Sequence, residues 1–386
     1  MSLRIARRLQ DIEPFRVVEV LTEARALAAR GVDVVHMEAG EPDFATAAPI
    51  IDAAKRALDN GATYYTSALG LPELRQQISA FYRQQYHIDV SPSRILVTPG
   101  ASGALLLVAS LLINPGEGLL MADPGYPCNR NFLRLVEGEG QLVAVDHNDR
   151  YQLTAERAEA AWQANTVGAI VASPANPTGE ILTRQQLQDL YQLTARKNGV
   201  LVVDEIYHGL TYGEDAPSIL EITDQAFVIN SFSKFFGMTG WRLGWLVAPE
   251  EAVPHLERLA QNLFISMSTM AQYGALAGFE PETLAILNQR RDIFAERRDF
   301  LLPALREIGF DIPHTPAGAL YIYAGIDRFS SDSTAFCKQM LAKHAVALTP
   351  GADFGHYRAD RHVRFAYTTS MTQLEKGVER LRAALR

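Results

Sequence analysis

Between about Arg94 and Ala248, short continuous apolar runs alternate with longer segments whose apolar positions recur every three or four residues. "RILVT" precedes "GALLLVASLL", "GLLMADP" precedes "NRNFLRLV", and "VGAIVASP" precedes "TRQQLQDLYQLTARKNG"; "VLVVDE", "AFVINSFS" and "LGWLVAP" follow. The continuous runs suit strands covered on both faces, and the periodic segments suit helices crossing between parallel strands. An α/β fold around a mostly parallel sheet is therefore expected. From about Pro281 the pattern changes to a long charged helix, "LAILNQRRDIFAERRDFLLPALREIG", then strand-like "GALYIYAGI" and "RHVRFAYT", then the helix "TQLEKGVERLRAAL". This predicts a smaller α+β domain, completed by the N-terminal segment.

Composition narrows the class of function. At 386 residues the chain has room for two domains, and its 48% hydrophobic and 21% charged content is ordinary for a globular protein. A net charge of -8 speaks against non-specific nucleic-acid binding and against an acidic membrane surface, which leaves small-molecule chemistry. Cys128 and Cys337 are too few for a disulfide framework and lack metal-ligand spacing, so no structural zinc is expected and a reducing cytoplasm suits the chain. The most apolar run, "ALLLVASLLI", is far short of the ~20 residues that cross a bilayer and reads as a buried helix. The basic start, "MSLRIARRLQDIEP", lacks an apolar core of signal-peptide length.

Residues able to do chemistry fall at the carboxyl ends of the expected strands, where open α/β sheets place ligands. Gly100 to Ser102 follow "ILVT", Tyr126 follows "LLMADP", Asn176 follows "AIVASP", Asp204 ends "VLVVD", and Ser231 and Lys234 follow "AFVIN". Five strand ends should thus meet at one crevice. In "SFSKFFGMTGWRLGW" Lys234 sits among Phe232, Phe235, Phe236, Trp241 and Trp245. Taken alone, such a lysine is more often one that snorkels from a strand end. Burial among those rings would instead lower its pKa and leave an amine able to attack a carbonyl.

Order and spacing along nearly the whole chain decide between these. "GEPDF", "YTSALGLPELR", "TPGASGAL", "DPGYP", "SPANPTGE", "VDEIY", "SFSKFFGMTGWRLGW" and "RFAYT" occur in sequence. With them the chain resembles the class I/II aminotransferases, fold-type-I enzymes that use pyridoxal 5'-phosphate. The resemblance implies a three-layer fold: a large domain, residues 46–284, with a mostly parallel seven-stranded sheet, and a small α+β domain, residues 285–386. Residues 1–45 would pack with the small domain. It also implies a cytoplasmic homodimer with shared active sites, acting on an amino acid and a 2-oxo acid, with no metal.

The roles implied by the resemblance agree with what each residue type can do. Lys234 would hold the cofactor as a Schiff base and then move the proton at the substrate Cα. Asp204, costly to bury unpaired, would face the protonated ring nitrogen. Tyr207 and Asn176 would donate to the cofactor phenolate oxygen; without the motif, Asn176 in "NPTG" is a turn residue. The phosphate would lie against the N–H groups of Ala101 and Ser102 at a helix start, with Ser231, Ser233 and Arg242 adding hydroxyls and charge. Tyr65 would reach the phosphate of the neighbouring subunit. Tyr126 would stack on the ring. Arg364 would clamp the substrate α-carboxylate in a bidentate pair, with Asn176 and Gly40 beside it.

Substrate choice is less legible. Where dicarboxylate-preferring members of the group can carry a lysine for the distal carboxylate, this chain has Ser102, although an arginine elsewhere could substitute. Phe15 and Tyr321 point to an apolar or aromatic amino acid. A carbon–sulfur β-lyase would share the lysine, aspartate and arginine, and a catalytically idle, cofactor-binding regulator would share the fold. A nicotinamide dehydrogenase is disfavoured because "GEGQLV" lacks the third glycine of the dinucleotide fingerprint.

Overall fold

The computed structural model describes residues 3–385. Its central sheet has seven strands, in the spatial order Ile95–Thr98, Gly244–Val247, Phe227–Ser231, Val200–Asp204, Thr166–Ala172, Gly118–Asp123 and Glu139–Ala144. Side chains alternate between two cores. Ile95, Val97, Leu201, Val203, Trp245 and Val247 belong to one buried cluster, while the intervening Leu96, Val202 and Leu246 belong to the other. Because successive side chains of a strand point to opposite faces, a sheet with cores on both sides demands an unbroken apolar run. That is why these strands stand out in the sequence.

Two strands depart from the simple pattern. Gly244–Val247 runs antiparallel to both its neighbours, whereas the other paired strands of the sheet are parallel. Ser231 reaches Gly244 through a loop with only the short 3-10 turn Thr239–Trp241, too little to cross over the sheet, so the chain turns straight back. Lys234 lies on that loop. Glu139–Ala144 is an edge strand whose exposed ends and mixed burial give it little apolar signal, and the sequence pattern does not pick it out.

A smaller antiparallel sheet is built from Thr349–Pro350, His362–Ala366 and Tyr321–Gly325, with Arg364 opposite both Thr349 and Tyr323. Beside it, Val35–His36 pairs in parallel with Val346–Ala347 and ties the start of the chain to its end. The helix Pro281–Ile308 is 28 residues long and ends at Gly309, whose φ of 114° gives a left-handed cap. Its charge is not all solvated. Arg297 is buried and holds the Asp43 carboxylate with both terminal nitrogens, at 2.7 and 3.0 Å, which fixes the "GEPDF" loop against the helix. Among the described residues, no helix is long and apolar enough to cross a membrane.

Candidate active site

A cavity of about 300 Å³ opens at the carboxyl ends of the parallel strands. Of the residues singled out in the sequence, the cavity is lined by Gly40, Ala101, Ser102, Tyr126, Asn176 and Asp204. Phe15, Tyr207, Ser231, Ser233, Lys234, Arg242, Tyr321 and Arg364 complete the set on its wall. Tyr65 does not line it; that side chain projects outward and is 79% exposed.

Asp204 ends its strand almost wholly buried, with one oxygen accepting the Ile206 N–H at 3.0 Å. Burial pushes its pKa up to about 6, against the smaller opposing effects of that N–H and of the Lys234 charge. Among the described residues, no cation forms an ion pair with it. Such a carboxylate, aimed into a cavity, is set up to receive a positive group.

Lys234 is half-buried, and its Nζ donates to the Gly40 carbonyl at 2.7 Å while lying 5.7 Å from the centre of the Tyr207 ring. The aromatic residues beside it in sequence do not enclose it, contrary to the expectation drawn from "SFSKFFGMTGWRLGW". Phe232 packs on Phe236 and Trp245, at 5.0 and 4.9 Å between centroids, and Phe236 meets Phe279 at 5.1 Å. These rings form the core behind the loop and turn the lysine outward, into the cavity.

The helix Gly100–Leu112 starts at the cavity with no side-chain cap, so its first N–H groups are available there. Gly100 has φ of 71°, and a Cβ on it would meet the Arg242 guanidinium at 2.8 Å, so glycine lets the arginine lie against the turn. Ser231 Oγ donates to Ser233 Oγ at 3.0 Å, which holds the two hydroxyls side by side. Hydroxyls, a guanidinium and an open helix start thus converge on one end of the cavity.

Arg364 is 2% exposed at the other end. Its Nη1 donates to Asn176 Oδ1 at 2.9 Å and its Nη2 to the Glu38 carbonyl at 2.6 Å, while Tyr321 and Phe354 flank the guanidinium at 4.1 and 4.8 Å. Its Nε has no partner. The Tyr207 hydroxyl is hydrogen-bonded to that of Tyr321 at 2.7 Å, and burial holds the Tyr207 phenol well above its ordinary pKa. A Cβ at Gly40 would run into the Tyr321 phenol, so a larger residue there would displace it.

A lysine, a buried carboxylate, a basic cradle and a buried arginine thus surround one cavity. Residues 32–381 match the family Aminotransferase class I and II. The chain is 36% identical over 384 residues to the valine–pyruvate aminotransferase of Mycobacterium tuberculosis, covering 99% of this chain and 98% of that one. It is 34% identical over 384 residues to a (5-formylfuran-3-yl)methyl phosphate transaminase of Methanocaldococcus jannaschii, covering 99% of each. An aminotransferase crystal structure from Mycobacterium tuberculosis superimposes with a TM-score of 0.96 at 35% identity, over 100% of this chain and 99% of that one.

The chain belongs to the class I and II aminotransferases.

Six further residues of this aminotransferase line the cavity without having been singled out in the sequence: Val17, Glu41, Leu105, Ala172, Ile206 and Thr239. Five of them carried a usable signal: Glu41 and Thr239 lie in the quoted "GEPDF" and "SFSKFFGMTGWRLGW", and Ala172 ends the expected strand "VGAIVA". Leu105 follows Ala101 by four positions on one helix face, and Ile206 lies between Asp204 and Tyr207. Val17 carried none, because only the tertiary fold brings its segment to the cavity.

Proposed function

We propose that this aminotransferase transfers the amino group of an L-amino acid with an apolar or aromatic side chain, rather than a dicarboxylic one, to a 2-oxo acid in two half-reactions. The observation that carries the proposal is the count of cations on the cavity wall. Lys234, Arg242 and Arg364 are the lysines and arginines there, and the cofactor and the substrate α-carboxylate take up all three in the arrangement argued below. None of the described lysines and arginines of this chain on that wall remains for a distal carboxylate. The rest of the wall near Arg364 offers Phe15, Val17, Tyr126 and Tyr321. A relative whose name pairs valine with pyruvate agrees with this side-chain class.

The donor set fits pyridoxal phosphate. Ser231, Ser233, Arg242 and the N–H groups of Ala101 and Ser102 would hold the phosphate, joined by Tyr65 of a second subunit in a homodimer. Asp204, whose burial disfavours its charge, would regain a partner in the ring nitrogen. Tyr126 would cover the ring, and Asn176 and Tyr207 would donate to its phenolic oxygen. When bound, this cofactor supplies a carbonyl carbon that carries the amino group and a ring that takes up the electron pair released at the substrate Cα.

The chain's own part is positioning and proton transfer. Arg364 binds the substrate carboxylate, with Asn176 and the Glu38 carbonyl fixing the guanidinium plane. In the first half-reaction the Lys234 amine would take the proton from the substrate Cα and deliver it to the cofactor's carbonyl-derived carbon, and in the second it would move a proton the opposite way. Tyr321 and Phe354, packed over Arg364, keep water from that ion pair.

Single amino acids added to the purified yellow holoenzyme, without any oxo acid, test this. Apolar or aromatic amino acids should bleach the visible band stoichiometrically, and a 2-oxo acid should restore it. Faster bleaching by aspartate or glutamate would overturn the substrate class. A persistent band with steady release of ammonia would show carbon–sulfur β-elimination in place of transfer.

A further inference from the structure

The helix Arg16–Ala29 brings Phe15 and Val17 to the cavity, and its own sequence does not cap it. Phe15 is its N-cap residue and makes no side-chain hydrogen bond, leaving the first N–H groups to find other acceptors. The acceptor comes from the far end of the chain. Asp353 Oδ1 accepts the Arg16 N–H at 2.8 Å, and Oδ2 receives a longer contact from the Val17 N–H at 3.4 Å. Asp353 is 3% exposed and does not itself line the cavity.

The residue that carries this carboxylate is itself held by backbone contacts beside the cavity. Asp353 closes the 3-10 turn Gly351–Asp353, and the next residue, Phe354, lies 4.8 Å from the Arg364 guanidinium. The Phe354 carbonyl accepts the Gly125 N–H at 2.9 Å, beside Tyr126. Phe15 in turn meets the Tyr126 ring edge-on, 6.3 Å between centroids. One buried carboxylate therefore sets the apolar wall of Phe15 and Val17 against the arginine that holds the substrate.

We propose that Asp353 is a positioning residue for substrate selection: by holding the first turn of helix Arg16–Ala29, it places Phe15 and Val17 against the substrate side chain. This rests on the reading that the cavity sorts amino acids by side chain. A merely structural cap would weaken the fold and lower activity toward every substrate alike. A positioning residue affects only substrates whose side chains reach the wall.

The test compares holoenzyme with Asp353→Ala and Asp353→Asn. The readout is the ratio of kcat/KM between the wild type's best amino acid and L-alanine, whose methyl group reaches least far. Asp353→Ala should lower that ratio about tenfold, mainly through KM of the larger substrate, the scale of one or two lost methylene contacts in a pocket. Asp353→Asn, which keeps one acceptor oxygen, should restore most of it. Hydrogen exchange should show the amides of Arg16 and Val17 opening faster in Asp353→Ala than in Asp353→Asn. An unchanged ratio, or unchanged exchange at those amides, overturns the proposal. Which amino acid is best for the wild type reports separately on the functional reading, since the ratio is defined whichever it is.

Discussion

Arg364 Nη1 donates to Asn176 Oδ1 at 2.9 Å, joining a strand of the small sheet to the loop that follows strand Thr166–Ala172. The contact holds the guanidinium in a plane that suits a carboxylate, and a lysine ammonium cannot reproduce it. Arg364→Lys should therefore lower kcat/KM about 100-fold, or roughly 2.7 kcal/mol of transition-state stabilisation, with cofactor absorption unchanged. Steady-state kinetics with an apolar amino acid would decide this, and a loss under about threefold would remove Arg364 from carboxylate binding.

Lys234 Nζ has the Gly40 carbonyl as its hydrogen-bond partner and faces the cavity. Lys234→Ala should retain the cofactor noncovalently and lose turnover. After borohydride reduction and denaturation, the wild type should carry one added cofactor mass, and the variant none. A covalent adduct that persisted in the variant would place the attachment elsewhere.

Ser102 sits on the cavity wall at the start of helix Gly100–Leu112. Ser102→Lys would add a cation where none is free, so kcat/KM for aspartate or glutamate should rise about tenfold relative to an apolar amino acid. Competition assays with both substrate classes would measure the shift. No shift would mean that the distal end of the substrate lies away from this helix.

Glu205 is fully buried, and its carboxylate accepts the Ser218 hydroxyl and the Ile219 N–H at 3.0 Å. Burial pushes its pKa from 4.5 up to about 8. The folded chain therefore favours the protonated acid, and the stability this contributes is full below pH 4.5 and is lost as pH rises to about 8. The slope is about 1.4 kcal/mol per pH unit. Neighbouring His208, pushed down to about 3 by burial, acts with the opposite sign below pH 6.5, so the readout is the difference: in thermal unfolding of cofactor-free protein, the wild type should lose stability relative to Glu205→Gln as pH rises across the window. Asp204, pushed up to about 6, acts with the same sign over a narrower range in both proteins and so drops out of the difference. Parallel profiles for the two proteins would show that Glu205 ionises normally.

The parts of this molecule that were legible in the sequence are those governed by local pattern. Continuous apolar runs marked strands such as Val200–Asp204 because both faces are covered, and motif spacing marked Lys234, Asp204 and Arg364. The edge strand Glu139–Ala144, half solvated, left little trace. The aromatic company of Lys234 misled for a physical reason: neighbours in sequence at a tight loop point to opposite sides, so Phe232 and Phe236 face the core while the lysine faces the cavity. Val17 and the carboxylate of Asp353 were invisible because their roles exist only once the chain's two ends have met.

The pairing of Val35–His36 with Val346–Ala347 has a consequence for how the protein is made. The seven strands of the large sheet, with Lys234, Asp204 and Arg242, leave the ribosome well before Arg364 does. Domains fold largely as they emerge, N-terminal parts first. The N-terminal segment, although synthesised first, has no strand partner until residues 346–347 arrive. A nascent chain would thus have the groups proposed to face the cofactor in place before the arginine proposed to grip the substrate, and Val35–His36, although made early, would be among the last to settle.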